Sequence, residues 1–371
     1  MTVAPFGTFF LPGPTEVHPD VLAGMLRPMI PHRGAAFEAL FERCVRGLQG
    51  VFRTTRPVYV ASSSATGLME GAVRAAPPGA VLALVNGAFS ERFARIALAC
   101  GRDVETLQVP LGATLDLEAI GVRLRTRAFA AVTVVHSETS TGVATDIRAV
   151  SDLAHEHGAA CLIDSVTGMG ATCVETDAWG LDFILTGSQK ALALPPGLAF
   201  GVASASFIAR AGESDGRGVY FDLLEFEAFA QKHQTPNTPA LSLIFALDTQ
   251  MKRIEAEGIE GRWARHEAMA QRTHAWASGL TREHGGAFGV LAPTGARSPT
   301  VTAITLPTGL AGPAVVQAVA SRGYVIGEGY GALKASTVRI GHMGDHTLET
   351  LRGCLEATDD AIRSLLTARQ V

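Results

Sequence analysis

The sequence lacks the features of a secreted, membrane-spanning or metal-binding protein. Its five cysteines are scattered and form no C-x-x-C pair, which argues against a zinc site and a disulfide framework. No apolar run is long enough to cross a bilayer. Residues 1–10 show neither a positively charged segment nor a long apolar stretch, so we expect no signal peptide. These absences predict a cytoplasmic globular protein without a bound metal.

Neither sign of charge is concentrated in a block. The formal net charge is −4 with acids and bases interspersed, so the sequence predicts neither nucleic-acid binding nor a disordered acidic tail. Lysine is scarce: only four of the 31 basic residues are lysines, at positions 190, 232, 252 and 334. Codon bias explains Lys232 and Lys252 well enough. Each lysine nevertheless raises the question of why arginine would not serve there.

Alternating helical and strand-like segments indicate an α/β fold. Between about residues 35 and 205, short apolar runs alternate with helical patterns such as the one over residues 37–52. Strands that are apolar on both faces and separated by helices are typical of a mainly parallel sheet sandwiched by helices. The predicted strands are Val58–Ala61, Ala80–Val85, Phe129–Val135, Ala159–Ile163, Phe183–Leu185 and Leu198–Val202.

The last third of the chain has a different pattern. A long helical zone, with a predicted break at Gly258 and Gly261, precedes a region typical of a smaller α+β domain. A chain of 371 residues is also too long for one ordinary core. We therefore expect a large domain over residues 21–255 and a small domain formed by residues 1–20 and 256–371.

Polar residues follow two of the predicted strands. Lys190 comes just beyond the strand 183–185, and Asp164 ends the run that begins at Ala159. A parallel α/β sheet places its ligands at the carboxyl ends of its strands. Lys190 is thus a candidate amine held in a site, although a solvated loop lysine is the common alternative. A buried Asp164 needs a cation or strong donor, and the alternatives are a helix cap or an arginine partner.

A run of small hydroxyl residues, Ser62 to Thr66, lies between the strand 58–61 and a helix that we expect to open at Gly67. Free N–H groups at a helix N-terminus bind phosphate well. A simple Ser/Thr cap is an equally good interpretation of this segment taken alone.

Three more residues follow strands or lie within one. Phe89, after the run that ends at Val85, is placed to stack on a flat ring or to pack in a core. Thr139 is placed to donate a hydrogen bond to a ligand or to close a turn. Arg339 carries the guanidinium that best binds a carboxylate, and a surface arginine on an edge strand is the alternative.

Taken in order, these features resemble the class V aminotransferases of pyridoxal-5'-phosphate (PLP) fold type I, close to the alanine–glyoxylate and serine–glyoxylate aminotransferases. The resemblance covers essentially the whole chain, and the Gly-Ser-Gln-Lys-Ala element followed by Pro-Pro-Gly is specific. The matching motifs are Pro12-Gly-Pro-Thr15, Asn86-Gly87, Glu138-Thr-Ser-Thr-Gly142, Gly187-Ser-Gln-Lys-Ala191, Pro195-Pro-Gly197, Gln234-Thr-Pro-Asn-Thr-Pro239, Arg297-Ser-Pro-Thr-Val301 and Arg339-Ile-Gly-His-Met-Gly344.

The resemblance implies a role for each matching residue. Lys190 holds PLP as a Schiff base and moves the substrate proton, while Asp164 pairs with the pyridine nitrogen. Arg339 and Gly13 bind the substrate, with Arg339 on its α-carboxylate. The other implied cofactor contacts are Ser64, Ala65, Thr66 and Gln189 to the phosphate, Phe89 stacking on the ring, Thr139 near the ring oxygen, and Thr235 and Thr238 reaching the phosphate of a partner subunit.

The same resemblance implies a homodimer with shared active sites and a small amino acid and a 2-oxo acid as substrates. Ser63 and Ala65 depart from the family, because they stand where glycines are usual, and any positive φ there would be strained. Glu328 also departs, in a segment that is usually glycine-rich and close to the substrate, and it leaves the substrate open.

Three other functions are alternatives to transamination: a desulfurase, an inactive binding protein, and a related PLP enzyme with another donor or reaction. A cysteine desulfurase needs a nucleophilic cysteine on a loop after the lysine, and no cysteine lies between Lys190 and Cys354. An inactive binding protein would lack the lysine, the aspartate or the arginine, and all three are present. A related transaminase that uses an aminophosphonate or ureido donor, or a PLP-fold lyase, stays open.

Overall fold

The computed structural model describes residues 6–368. Its strands are β1 (Phe9–Phe10), β2 (Tyr59–Ala61), β3 (Val81–Val85), β4 (Val104–Gln108), β5 (Ala131–Val135), β6 (Ser137–Glu138), β7 (Val143–Ala144), β8 (Ala160–Asp164), β9 (Phe183–Gly187), β10 (Ala199–Ala203), β11 (Gly289–Val290), β12 (Val301–Thr305), β13 (Val325–Glu328) and β14 (Thr337–Gly341).

The helices of the described chain connect these strands and cover the sheets that they form. They are α1 (Pro19–Gly24), α2 (Ala35–Phe52), α3 (Ala65–Ala75), α4 (Ala88–Ala99), α5 (Leu117–Thr126), α6 (Ile147–Glu156), α7 (Ala205–Ala211), α8 (Leu223–Ala230), α9 (Leu241–Glu257), α10 (Ile259–Glu283), α11 (Gly312–Ala320) and α12 (Leu348–Thr367), with a short 3-10 helix at Gly331–Leu333.

A seven-stranded sheet forms the larger part of the fold, in the order β2-β10-β9-β8-β5-β3-β4. Strand β10 runs antiparallel to β2 and β9, and the other neighbouring strands pair in parallel. The predicted mainly parallel sheet is therefore confirmed. Strand β4 was not predicted, because as an edge strand it is partly exposed and carries Glu105 and Gln108 instead of an apolar run.

Helices cover both faces of this sheet, as the apolar strands predict. Successive residues of one strand point to opposite faces. In β8, Cys161 and Ile163 pack in the core that contains residues of α2, α6 and α9, whereas Leu162 packs with residues of α3, α4 and α7 on the other face. Because both faces are covered, a ligand is expected at the ends of the strands.

A smaller, five-stranded sheet has the strand order β1-β13-β14-β12-β11. Strand β1 pairs in parallel with β13, and the remaining pairs are antiparallel. This pairing supports the proposed division of the chain, in which residues 1–20 belong with residues 256–371. Residues 1–5 and 369–371 of that division lie outside the described residues.

The helical zone after residue 240 breaks once. Helix α9 ends at Glu257 and α10 begins at Ile259, with Gly258 between them at a φ of +78°. Such a positive φ favours glycine, so the predicted break at Gly258 is confirmed. The predicted break at Gly261 is wrong, because Gly261 lies inside α10 and glycine tolerates a helix interior at modest cost.

Candidate active site

A cavity of about 330 Å³ lies where several parallel strands of the large sheet end. A larger groove of about 460 Å³ between α2 and α9 contains none of the predicted residues, so chemistry and not size identifies the site. The predicted residues that line the smaller cavity are Gly13, Ser64, Ala65, Thr66, Phe89, Thr139, Asp164, Gln189 and Lys190.

Lys190 is buried just after strand β9, and only 8% of its surface is exposed. Its Nζ donates a 2.5 Å hydrogen bond to the carbonyl of Pro12, and its own carbonyl accepts from Thr15 Oγ1 at 3.0 Å. A Cβ on Gly13 would overlap Lys190 Nζ, so only glycine fits there. Burial, with the nearby charge of Arg339, lowers the pKa of Lys190 to about 8. A neutral amine is thus accessible near neutral pH.

Asp164 is the last residue of β8 and is 2% exposed. Its Oδ1 accepts a 2.8 Å hydrogen bond from the backbone N–H of Val166. Burial raises the pKa of Asp164 to about 7 against the effect of that hydrogen bond, and the charge of Glu138 adds to the rise. A protonated ring nitrogen placed here would satisfy this carboxylate, so Asp164 fits the PLP pyridine.

The hydroxyl-rich segment forms the first turn of α3. The helix begins at Ala65 and not at Gly67 as predicted, with Ser64 as its N-cap residue. Glycine is required at position 67 for another reason, because a Cβ there would overlap the ring of Phe221. Neither Ser63 nor Ala65 adopts a positive φ, so the strain anticipated from the missing glycines does not occur. The uncapped first-turn N–H groups suit a phosphate.

Gln189 adds a second observation at this phosphate cradle. Its side-chain Oε1 is buried and has no hydrogen-bond partner among residues 6–368. A flipped amide would direct N–H donors toward an anion instead. With the amide flipped, its NH₂ group would add donors from the loop that carries Lys190 to the N–H groups of α3.

Phe89 and Thr139 lie on the ring side of the cavity. Phe89 follows the start of α4, and its ring centroid is 6.0 Å from Lys190 Nζ and 5.5 Å from the ring of Tyr330. Thr139 is buried, and its Oγ1 lies 3.1 Å from Thr167 Oγ1. A flat ring between Phe89 and the sheet edge would have an aromatic face on one side and a hydroxyl at its rim.

Arg339 reaches the site from the other sheet. It lies within β14, and its Nε donates to the carbonyl of Glu328 at 2.8 Å while Nη1 donates to the carbonyl of Thr139 at 3.0 Å. Within residues 6–368, Nη2 forms no hydrogen bond. The guanidinium is thus fixed by two carbonyls and still has donors for a carboxylate. Arg339 does not itself line the cavity, but its neighbours Thr139 and Tyr330 do.

Glu328, which departs from the family pattern, does not line the cavity. Its carboxylate pairs with Lys334 at 3.1 Å, and only its carbonyl contacts Arg339. Lys334 is exposed and does not line the cavity, whereas Lys190 does.

Thr235 and Thr238 are not brought to the cavity. They line a separate small crevice with Ser62 and Tyr220. Thr235 is buried and its Oγ1 donates to the carbonyl of Asn237 at 2.7 Å, whereas Thr238 is exposed. Within one chain these hydroxyls therefore have no contact with the phosphate cradle residues Ser64 to Thr66.

Arg92 and Tyr330 are two of the cavity-lining side chains that sequence reasoning missed. Arg92 lies one turn after Phe89 in α4, and its guanidinium carbon is 4.8 Å from the centroid of the Phe89 ring. That i, i+3 spacing after a strand end was the available signal. Tyr330 lies in the connection between β13 and β14, just before the 3-10 helix, and nothing in the local sequence indicates that it reaches the cavity.

The described residues support neither a metal site nor a membrane-spanning helix. No group of three or more histidine, cysteine, aspartate or glutamate residues between 6 and 368 is arranged to hold a metal ion. No helix in that range combines the length and apolar character needed to span a bilayer.

Comparison with known proteins identifies the family. Residues 76–341 match the family described as aminotransferase class-V. An uncharacterised aminotransferase of Methanocaldococcus jannaschii is 35% identical over 341 residues, which cover 90% of this chain and 87% of the relative. The L-aspartate–glyoxylate aminotransferase of Paracoccus denitrificans is 30% identical over 351 residues, which cover 91% of this chain and 86% of the relative.

A solved structure agrees with these relatives. The crystal structure of an alanine–glyoxylate aminotransferase from a Nostoc species superposes with a TM-score of 0.90 at 28% identity, covering 97% of this chain and 96% of that one. The fold is thus that of the PLP fold type I aminotransferases, in agreement with a cavity whose buried lysine, aspartate and helix N-terminus fit PLP. This chain belongs to the class V aminotransferases and is a PLP-dependent enzyme.

Proposed function

We propose that this enzyme moves an amino group from a small amino acid, of the alanine or serine type, to a 2-oxo acid such as glyoxylate or pyruvate. The observation that carries the proposal is one guanidinium, Arg339, held by two carbonyls beside a cavity that contains Lys190 and Asp164. A cavity of about 330 Å³ that cofactor and substrate would share favours a small amino acid.

The proposed cofactor contacts follow from the chemistry of each residue. The first-turn N–H groups at Ser64 to Thr66, with Gln189, bind the phosphate, and Phe89 covers one face of the ring. Asp164 accepts the proton of the ring nitrogen, and Thr139 donates to the ring oxygen. When bound, PLP supplies an electron sink for the electrons of the substrate α-carbon.

Lys190 is proposed to move the proton in both half-reactions of a ping-pong mechanism. With a pKa of about 8, its Nζ is neutral in a useful fraction of molecules near neutral pH and can accept the α-proton. Burial beneath Gly13 and against Pro12 keeps water from this amine. The protonated Nζ can then give the proton back to complete the half-reaction.

Arg339 is proposed to orient the substrate. Its free Nη2 and the remaining Nη1 proton can bind the two oxygens of the α-carboxylate, which fixes the α-carbon relative to Lys190. The same grip would serve the carboxylate of the 2-oxo acid in the second half-reaction. Gly13 leaves space at this end of the cavity.

The acceptor is better supported than the donor. The Paracoccus and Nostoc proteins carry different donors in their names, aspartate and alanine, and share glyoxylate. We therefore favour glyoxylate as the acceptor here. Aminophosphonate and ureido donors, and a lyase reaction, are tested in the same experiment.

The experiment is a half-reaction assay on the purified holoenzyme. Alanine, serine, aspartate, 2-aminoethylphosphonate and ureidoglycine are added singly, and loss of the visible PLP absorbance is recorded before glyoxylate or pyruvate is added. Alanine or serine should bleach the band fastest, and glyoxylate should restore it. Ethylamine, which has no carboxylate, is the control and should react poorly. Release of ammonia from serine without an acceptor would instead identify a lyase.

We also propose that the enzyme is a cytoplasmic homodimer whose subunits share active sites. The exposed Thr238, in a turn fixed by Pro236 and Pro239, offers a donor to a partner. Leu26 and Val219, each 85% exposed, are apolar side chains that a partner could cover. Five free cysteines suit a reducing compartment.

Subunit complementation tests the shared sites. A mixture of Lys190→Ala with a Thr235→Ala/Thr238→Ala double variant should form hybrid dimers in which one site is intact and the other carries both lesions. Random mixing should then restore about a quarter of wild-type activity. A monomer by light scattering, or no recovery despite proven subunit exchange, would contradict the proposal.

A further inference from the structure

Glu138 is a fully buried carboxylate beside the active site, and the reaction steps described above do not use it. It is the last residue of β6, and none of its surface is exposed. It lies between Ser137, which lines the cavity, and Thr139, which lines it as well. A buried carboxylate is costly unless strong donors satisfy it.

The donors of Glu138 come from two separate segments. Oε2 accepts from the backbone N–H groups of Phe89 and Ser90 at 3.1 and 3.0 Å and from Ser90 Oγ at 3.0 Å. Oε1 accepts from the N–H and the hydroxyl of Ser140 at 3.1 and 2.5 Å and, at 3.3 Å, from the Phe89 N–H, which the two oxygens share. The side chain therefore ties the first turn of α4 to the segment that contains Thr139.

The sequence of the α4 turn is adapted to this carboxylate. A Cβ on Gly87 would overlap the Cγ of Glu138, so glycine is needed for the close approach. Ala88 N–H donates to Ser140 Oγ at 3.1 Å, which adds a second link between the same two segments. The N-terminus of a helix also favours a negative charge.

We propose that Glu138 is a positioning residue that holds the Phe89 ring and the Thr139–Arg339 contact in one arrangement, so that the cofactor face and the substrate-binding arginine are aligned by a single side chain. The proposal rests on the proposed function only for the identity of the groups that are aligned. The contacts themselves are independent of which amino acid reacts.

The alignment runs through consecutive atoms. Glu138 fixes the backbone of Phe89, whose ring lies against the cavity. The next residue, Thr139, accepts the hydrogen bond from Arg339 Nη1 at 3.0 Å. The negative charge of Glu138 also acts at both ends, because it adds to the burial that raises the pKa of Asp164 and opposes the burial that lowers the pKa of Arg339.

Glutamine cannot replace Glu138 in this position. An ionised carboxylate only accepts hydrogen bonds, whereas a side-chain amide carries one acceptor oxygen and one NH₂ donor. In Glu138→Gln, the NH₂ group must face either the N–H groups of Phe89 and Ser90 or that of Ser140. The N–H groups that face it lose an acceptor, so the tie to one of the two segments is weakened.

The test compares Glu138→Gln with a matched control, Asp182→Asn, in the full-length holoenzyme. Asp182 is a half-buried carboxylate just before β9 that, like Glu138, joins two segments, because it accepts from Cys161 N–H at 2.8 Å and contacts His155 Nε2 at 2.6 Å. It lies near the start of β8, away from the cavity. Three quantities are measured: amide hydrogen exchange, visible circular dichroism per bound PLP, and kcat and KM for the donor.

Glu138→Gln should speed exchange of the amides at 89–90 or at 140 by at least about tenfold, the factor for one lost hydrogen bond to a charged group. The circular dichroism of bound PLP should change, and KM should rise while kcat falls. Asp182→Asn should lower the melting temperature and leave both the dichroism and KM as in wild type.

Two outcomes overturn the proposal. Glu138→Gln with unchanged dichroism and KM, but a lower melting temperature, would show a structural role only. Unchanged exchange would show that the contacts do not hold the segments. If Glu138→Gln does not fold, Ser140→Ala removes the hydroxyl that donates to Oε1 and accepts from Ala88 N–H, while the Ser140 N–H stays, and it should shift the same quantities in the same direction. Exchange and dichroism do not depend on the substrate, so they judge this proposal even if the proposed transamination fails.

Discussion

The two sheets contribute to the active site in different ways. The seven-stranded sheet supplies residues that follow the ends of strands, Asp164 at the end of β8 and Lys190 after β9. The five-stranded sheet supplies Arg339 from within β14. The first set lines the cavity that we propose to hold the cofactor, whereas Arg339 is held by two carbonyls beside it.

This difference separates two kinds of defect. Changes at the edge of the large sheet should impair every substrate, because each reaction uses the same cofactor. Changes on the small sheet should impair substrates according to the group that Arg339 binds. The experiments below test this separation in order of decreasing effect.

Replacing Lys190 by alanine should have the largest effect. Transamination should fall by at least about 10⁴-fold for all donors, because the variant loses both the covalent link and the amine that moves the proton. Turnover and the mass of the borohydride-reduced protein are measured, with Lys334→Ala as the control. A reduced cofactor adduct and normal turnover in Lys190→Ala would show that the lysine is wrongly assigned.

Asp164→Asn should follow. Asparagine keeps the shape but loses the negative charge that holds the ring proton, so kcat should drop by on the order of 10²–10³-fold for all donors alike. Cofactor retention, measured by absorbance after dialysis, should change much less. Activity within a factor of a few of wild type would contradict the role given to Asp164.

Arg339→Lys should have a smaller and selective effect. A single ammonium cannot reproduce the two-pronged grip, so kcat/KM should fall about 10- to 100-fold for amino acids. Simple amines without a carboxylate should be affected little. Equal losses for both kinds of substrate would mean that Arg339 acts on the small sheet and not on the substrate, and the separation of the two sheets would fail.

The smallest effect concerns the pH at which Lys190 reacts. In the cofactor-free protein, burial lowers the pKa of Lys190 to about 8, so its neutral amine should appear as the pH rises through that value. Competitive acetylation read by mass spectrometry should show a midpoint near pH 8 for Lys190, with exposed Lys232 as the internal reference. A midpoint at the ordinary lysine value would show that the large-sheet edge does not tune this amine.

The contrast between the sheets also explains what the sequence could predict. Lys190 and Asp164 are visible because a polar residue after an apolar run marks the edge of a parallel sheet. Arg339 lies within a strand, where local sequence left a carboxylate ligand and a surface residue as alternatives, and the family resemblance favoured the ligand. The fold class followed from apolar runs, while the partly exposed β4 gave no such run.

The role of Glu138 shows a further limit. Its partner Phe89 is 49 residues away, and no local pattern predicts that their segments meet. The start of α3 at Ala65 was missed for a related reason, because Gly67 looks like a boundary but is required by the ring of Phe221. Contacts between distant segments decide both cases.

The position of strand β1 has a consequence for synthesis of the protein. The residues that follow it, Pro12 to Thr15, contact Lys190, and β1 itself pairs with β13 near residue 325. A ribosome makes β1 first and β13 only after most of the chain, while domains tend to fold in the order in which they emerge. The large sheet can therefore form early, but Lys190 receives its final neighbours only after β13 has been made. Nascent chains that stop before β13 should contain Lys190 without its contacts to residues 12–15.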